Sequence, residues 1–286
     1  MSPAPRHSDL CRKEFEGLYA SFNRRCYVHP DPIEFLYRFH DPRDREIVAL
    51  VASSLAYGKV EQILKSITGV LRRMGSSPFL YLSHSPLETI QDDFAECKHR
   101  FTPGADIALL LHSAADVIRG YGSLHACFMA GYRNDDKNIL PALSAFVEKL
   151  SRGCRCSWNG FLPSPAKGSA CKRLNLFLRW LVREDDVDPG GWSGIPSSKL
   201  IVPLDTHMHR ISLTFGFTER KQADLRTAVE ITEAFRGFSP EDPVRYDFVL
   251  TRFGIRKDMN GDCLTAICGQ LEKAASNQAN TDKVSG

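Results

Sequence analysis

The chain has 286 residues, 43% of them hydrophobic and 25% charged, with a net charge of +3. This is the composition of an ordinary globular protein with enough length for a sizeable core in one or two domains. No apolar run approaches the roughly 20 residues that cross a bilayer, and the mildly basic balance permits nucleic-acid binding without demanding it.

In chain order, residues 10–22 read as an amphipathic helix. Asp31-Pro32 opens a second, with Ile33, Leu36 and Tyr37 at i, i+3, i+4 spacing. Asp41 and Pro42 are the N-cap and first residue of a third helix. Its Ile47, Val48, Leu50, Val51 and Leu55 leave little polar face, so it should be buried. Tyr57-Gly58 breaks the pattern, and Val60, Ile63, Leu64, Ile67, Val70 and Leu71 carry the next helix. Residues 75–78 read as a turn, followed by helices over 86–94, 106–121, 123–132 and 140–150. Residues 153–168, with two prolines and three glycines, are irregular. Ser169 is an N-cap for a helix over about 169–183, whose stripe is Leu174, Phe177, Leu178, Leu181 and Val182. A second irregular loop spans 188–198, and 200–203 is short and extended. Asp205 caps a helix with Met208, Ile211 and Phe215 on one face. Helices over 223–235 and 243–253 complete the count. The polar stretch 274–286 reads as a disordered tail. The fold class is therefore all-α, with neither repeats nor a sheet.

Nine cysteines show no disulfide framework. Cys154 and Cys156 are too close for a zinc knuckle, and Cys263 and Cys268 alone cannot hold an iron–sulfur cluster. All nine read as reduced thiols, and the N-terminus has no apolar signal-peptide core, so the expected location is the cytoplasm. The basic residues from Arg152 to Arg183, followed by Glu184, Asp185, Asp186 and Asp188, read as a solvated surface of mixed charge.

Two segments carry chemistry. One is Gly-Ser-Ala-Cys-Lys-Arg-Leu-Asn-Leu-Phe-Leu-Arg-Trp over residues 168–180. The other is Pro-Leu-Asp-Thr-His-Met-His-Arg over 203–210. A lysine early in a helix lies in the positive field of the helix N-terminus, which favours the neutral, nucleophilic amine. A carboxylate reaching the same cleft could steer protons and stabilise a developing cation. Lys172 and Asp205 are thus a pair suited to Schiff-base chemistry on a sugar, with Lys167 and Lys199 as fallback nucleophiles. Asp205 is also an ordinary N-cap, and the two roles are compatible. His207 and His209, with Asp205, would form a metal-dependent hydrolase set only on an extended strand. Trp158, Trp180 and Trp192 are candidates for stacking on a base, although Trp180 lies on an amphipathic helix and suits the core. Arg179 reads as a phosphate contact or a solvated charge.

These segments, with Ile47-Val-Ala-Leu-Val-Ala-Ser-Ser-Leu-Ala-Tyr-Gly-Lys-Val-Glu-Gln-Ile-Leu64, resemble the helix–hairpin–helix DNA glycosylases, the endonuclease III-like superfamily. Lys172 stands where that superfamily has its Schiff-base lysine. The 202–211 segment is similar to its Val-Asp-Thr-His-hydrophobic-x-Arg pattern, with Asp205 as the catalytic aspartate. The 33 positions separating residues 172 and 205 are similar to the archaeal 8-oxoguanine glycosylase branch. End to end the chain also resembles a bacterial family of unknown function. The hairpin's phosphate-binding glycine pair is only outlined, by Leu162-Pro163 and Gly168, and the four-cysteine iron–sulfur motif is absent.

The resemblance implies two helical domains flanking a cleft. One would span 45–185 and end in the hairpin and lysine helix; the other would combine 1–44 with 186–273 and carry the aspartate. It implies a monomeric DNA glycosylase with lyase activity in base excision repair, associated with the nucleoid and removing an oxidised purine such as 8-oxoguanine. Its partner would be double-stranded DNA containing a damaged base, and it would need no metal or organic cofactor. Tyr57, Gly58, Lys59, Ser169, Arg173, His207 and Arg210 would meet the DNA, with Tyr57 as a wedge replacing the extruded base. A non-catalytic DNA-damage-binding scaffold is the alternative in a different class.

Overall fold

The structure, a computed structural model, describes residues 8–151 and 161–255. Its elements are α1 (Ser8–Phe22), a 3-10 helix (Pro32–Arg38), α2 (Pro42–Ser54), α3 (Val60–Met74), α4 (Pro78–His84) and α5 (Leu87–Phe94). Next come β1 (Lys98–His99), β2 (Thr102–Pro103), α6 (Gly104–Tyr121), α7 (Leu124–Met129) and α8 (Leu140–Ser151). The series closes with α9 (Lys172–Val182), α10 (Thr206–Thr214), α11 (Leu225–Phe238) and α12 (Asp247–Ile255). The described chain is mostly helical, and none of its helices is long and apolar enough to cross a membrane. Trp158, the first half of the irregular stretch 153–168 and the 274–286 tail lie outside the described residues.

Helix α2 is the central element. Asp41 caps it through a 2.8 Å bond accepted from the Arg43 amide, with Pro42 at its first turn. Its apolar residues have no solvent-facing side, and it packs on α9, on Pro32–Arg38, and on α3, α4 and α7. Around it, α4 to α8 pack on one another, while α1 packs on α11 and α12, and α10 on α12. One contiguous hydrophobic cluster runs through both groups. Cys26, Cys97 and Cys171 are free thiols.

The structure departs from the sequence reading in several places. The second helix is 3-10 rather than α, and Asp31 caps it by accepting from the Ile33 amide at 3.0 Å. The turn at 75–78 leads into α4, capped by Ser77, whose seven residues are too few to show a period. A two-stranded antiparallel ladder, β1–β2, was not expected, because two residues per strand carry no alternation. Cys171 adopts the left-handed conformation (φ +48°), so α9 begins at Lys172 rather than Ser169.

The largest correction concerns charge. The mixed-charge run around 179–188 is internal in part: Glu184 and Asp186 are exposed, but Arg179, Arg183 and Asp188, with the distant Asp247, are each less than 5% exposed. Arg179 donates through Nε to Asp188 (3.2 Å) and through Nη1 to Asp247. Arg183 chelates Asp242 through Nε (2.9 Å) and also reaches Asp188 and, at 2.8 Å, Asp185. Buried charges persist only when paired in this way. Removing one partner leaves the others uncompensated, which costs about 3–5 kcal/mol. Arg183→Met should therefore lower unfolding stability by about that amount in urea titrations, whereas Arg133→Met, in an exposed pair with Asp135, should have almost no effect.

A second buried charge joins the α2 core to its surroundings. Glu46 accepts from the Leu124 and His125 amides (2.7 and 2.9 Å) and from Trp192 Nε1 (3.0 Å). Burial pushes its carboxyl up to about 7, against those three donors. A carboxyl raised on folding favours the native state when protonated. That contribution is complete below the ordinary glutamate range and is lost as pH rises through about 7. Relative to Glu46→Gln, the wild type should gain stability as pH falls from about 7 towards 4.5, read from thermal midpoints across that range.

Candidate active site

The start of α9 and the start of α10 meet. The left-handed turn at Cys171, whose amide donates to Ser169 Oγ at 3.2 Å, aims the first turn of α9 out of the core. The Gly168 carbonyl accepts from the Leu225 amide at 3.0 Å and ties the preceding loop to α11. On α10, Asp205 Oδ1 accepts from the Met208 amide at 2.8 Å, so the cap bond holds the carboxylate. Its Oδ2 lies 3.3 Å from Lys172 Nζ; the two side chains are 14% and 34% exposed. An amine and a rigid carboxylate thus share one open space.

That space is a cavity of about 1000 Å³. Tyr57, Gly58, Lys59, Lys172, Asp205 and His207 all line it. So do Arg100, Asp247 and Arg252, which sequence reasoning did not single out, and the stacking candidate Trp180, which is both buried and cavity-lining. Trp180 Nε1, Asp247 Oδ1 and Arg252 Nε and Nη1 have no hydrogen-bond partner among the described residues. Buried polar atoms without partners are costly and uncommon. The residues that carry these three donors and one acceptor line the cavity that holds the lysine, while the atoms themselves are buried. Burial pushes the Asp247 carboxyl up to about 6, opposed by Arg179 and reinforced by the charge of Asp205. Nothing in the sequence separates these residues from ordinary core and ion-pair positions; their signal is the unpaired atoms.

The remaining candidates divide. Ser169 and Arg173 line a neighbouring hollow of about 1230 Å³, on the other side of Tyr57 and Lys172. Arg173 donates to the Ser54 carbonyl at 2.9 Å and lies 5.2 Å from the Tyr57 ring centre, so it braces the end of α2. Arg210 is exposed on α10 and borders neither space. Arg179 is not a solvated charge: it is buried, paired with Asp188 and Asp247, at the wall of the first cavity. Trp192 is a core residue stacked on His125, with its Nε1 committed to Glu46. Lys199 is spent on the Asn134 and Asp136 carbonyls, and Lys167 is exposed beside the second hollow. His209 bonds the Arg220 carbonyl at 2.7 Å while His207 lines the cavity, so Asp205, His207 and His209 do not converge. Among the described residues no three His, Cys, Asp or Glu side chains are grouped as metal ligands.

The loop between α2 and α3 is built around a contact that only glycine permits. Gly58 has φ +104°, and a Cβ there would fall 2.6 Å from Arg100 Cδ. Gly58→Ala should cost about 1–3 kcal/mol through strain and clash. It should also free the Arg100 side chain, visible as a lowered thermal midpoint and broadened amide resonances for residues 98–103.

The profile of a family described as a protein of unknown function (DUF2400) matches residues 31–256. No curated protein and no solved structure matches the chain.

Proposed function

We propose that this chain, which belongs to that family of unknown function, is a DNA glycosylase with lyase activity that acts on a damaged base in duplex DNA. The observation that carries the reading is the 3.3 Å approach of Lys172 Nζ to the capped Asp205 carboxylate, on the wall of a cavity of about 1000 Å³. That volume accommodates an extruded nucleoside, and cavities of roughly 300–1000 Å³ are the usual size of small-molecule sites. The two helical groups bordering it serve as the two domains that flank the DNA.

In this reading the Lys172 amine attacks the sugar C1′ and the bond from C1′ to the base breaks. The electron pair leaves with the base, which takes up a proton, while the amine gives one up. Asp205 stabilises the cationic sugar as charge develops, and the cap bond keeps its carboxylate from having to reorganise. Opening of the sugar ring leaves an imine on Lys172. Loss of a C2′ proton then expels the 3′ phosphate and nicks the strand. Arg252 and Trp180 as donors and Asp247 as an acceptor line the cavity and are the groups offered to the edge of the extruded base. A mixed edge of this kind suits an oxidised purine such as 8-oxoguanine, which presents both carbonyls and N–H groups.

Borohydride reduction on duplex DNA containing 8-oxoguanine, with a panel of other lesions, tests the mechanism. Wild type should form a covalent adduct, Lys172→Gln none, and Asp205→Asn should turn over about 100-fold more slowly. Absence of a wild-type adduct and of base release across the panel, with DNA binding unaffected by Lys172→Gln, would make the chain a binding scaffold instead.

A further inference from the structure

The β1–β2 ladder pairs Lys98 with Pro103 and His99 with Thr102, so Arg100 and Phe101 form a two-residue turn. Such turns favour glycine, asparagine or aspartate, because one or both central residues need positive φ. Here Arg100 occupies the left-handed region at φ +54°. Phe101 beside it is 87% exposed, far more than the other exposed large apolar side chains described. Neither residue suits a turn that serves only to reverse the chain.

The base of this turn is rigid. Tyr57 Oη donates to the His99 carbonyl at 3.0 Å and lies 2.6 Å from Thr102 Oγ1. The His99 ring is fully buried, donating through Nε2 to the Tyr57 carbonyl (3.0 Å) and accepting at Nδ1 from Ser66 (2.9 Å). Tyr57 is therefore locked beneath the turn and is not free to enter a base stack. Arg100 lies over Gly58, lines the cavity of Lys172 and Asp205, and places its guanidinium 5.3 Å from the Phe101 ring centre. Lys59 and Lys98 are exposed alongside, with Glu61 the acidic residue at the same rim.

We propose that Phe101 is the wedge that fills the gap left in duplex DNA when a nucleotide is drawn into the cavity, with Arg100 bracing it. The proposal rests on the glycosylase reading for the identity of the partner. A vacated step exposes two flat apolar base faces flanked by phosphates. A single aromatic ring among Arg100, Lys59 and Lys98 matches that combination. It is too small for a second protein copy, since stable interfaces need about 800 Å² per partner. A rigid platform lowers the ordering cost of inserting the ring.

The test uses a duplex carrying a tetrahydrofuran abasic analogue, which has a gap and no base to release, and an intact duplex of the same sequence. Wild type should prefer the gapped duplex, and Phe101→Ala should lose about tenfold in affinity for it. The substitution should change neither intact-duplex affinity nor the thermal midpoint, because the side chain is exposed. In Phe101→Trp, indole emission should be quenched by the gapped duplex only. Equal binding of the gapped duplex by wild type and Phe101→Ala, or unchanged indole emission, would overturn the proposal. Self-association abolished by Phe101→Ala would also overturn it, by assigning the tip to a second copy. The gapped duplex contains no damaged base, so these outcomes stand apart from the adduct assay. A Lys172 adduct with no Phe101 effect rejects only the wedge.

Discussion

Two arginines one turn apart on α9 constrain everything that happens at its other end. Arg179 and Arg183 face inward because carboxylates wait for them from three directions: Asp188 in the following loop, Asp242 and Asp247 around the start of α12, and Asp185 beside them. Each charge is affordable in the core only because the others are present. The result is a directional clamp, since a guanidinium holds a carboxylate in a fixed plane. It sets the position of α9 against α12, and α12 packs on α10, which carries Asp205. The approach of Lys172 to Asp205 thus depends on ion pairs made seven and eleven residues after the lysine, by charges of which Arg179 and Asp247 also line the cavity.

A second rigid unit closes the other side of the cavity. The α2 helix ends at Ser54, and Tyr57, Gly58, His99 and Arg100 interlock through hydrogen bonds and one glycine contact. This gives a segment of irregular backbone the stiffness of regular structure. Exposure there is concentrated at Arg100 and Phe101, while the side chains beneath them are fully engaged. The cavity thus lies between two preorganised walls, one clamped by ion pairs and one by hydrogen bonds. Preorganisation of this kind lets a site bind without further ordering cost.

Local signals were the legible part of the chain. The caps at Asp41 and Asp205, the break at Tyr57-Gly58 and the apolar stripes of α2, α3 and α9 could be read directly. Each depends on residues within about two turns of one another. The start of α9 was misplaced because Ser169 offers a good cap, while the left-handed Cys171 that displaces it is imposed by packing. The β1–β2 turn was missed because two residues per strand carry no alternation, and α4 because Gly75 and Pro78 at its start read as a turn. The acidic and basic run at 179–188 was misjudged for a different reason. Charge order along a chain does not reveal whether its partners lie nearby in space, and Asp242 and Asp247 are about 60 residues away.

By itself the sequence determined a helical fold and a lysine–aspartate pair with the residue types for imine chemistry, because helix period, caps and side-chain chemistry are local properties. Only the tertiary structure decided that the two meet at 3.3 Å, that Arg252, Trp180 and Asp247 line the same cavity, and that Phe101 rather than Tyr57 stands free beside it. Those facts depend on which distant segments the core and its buried ion pairs bring together. Such long-range pairing leaves no period or spacing in the chain.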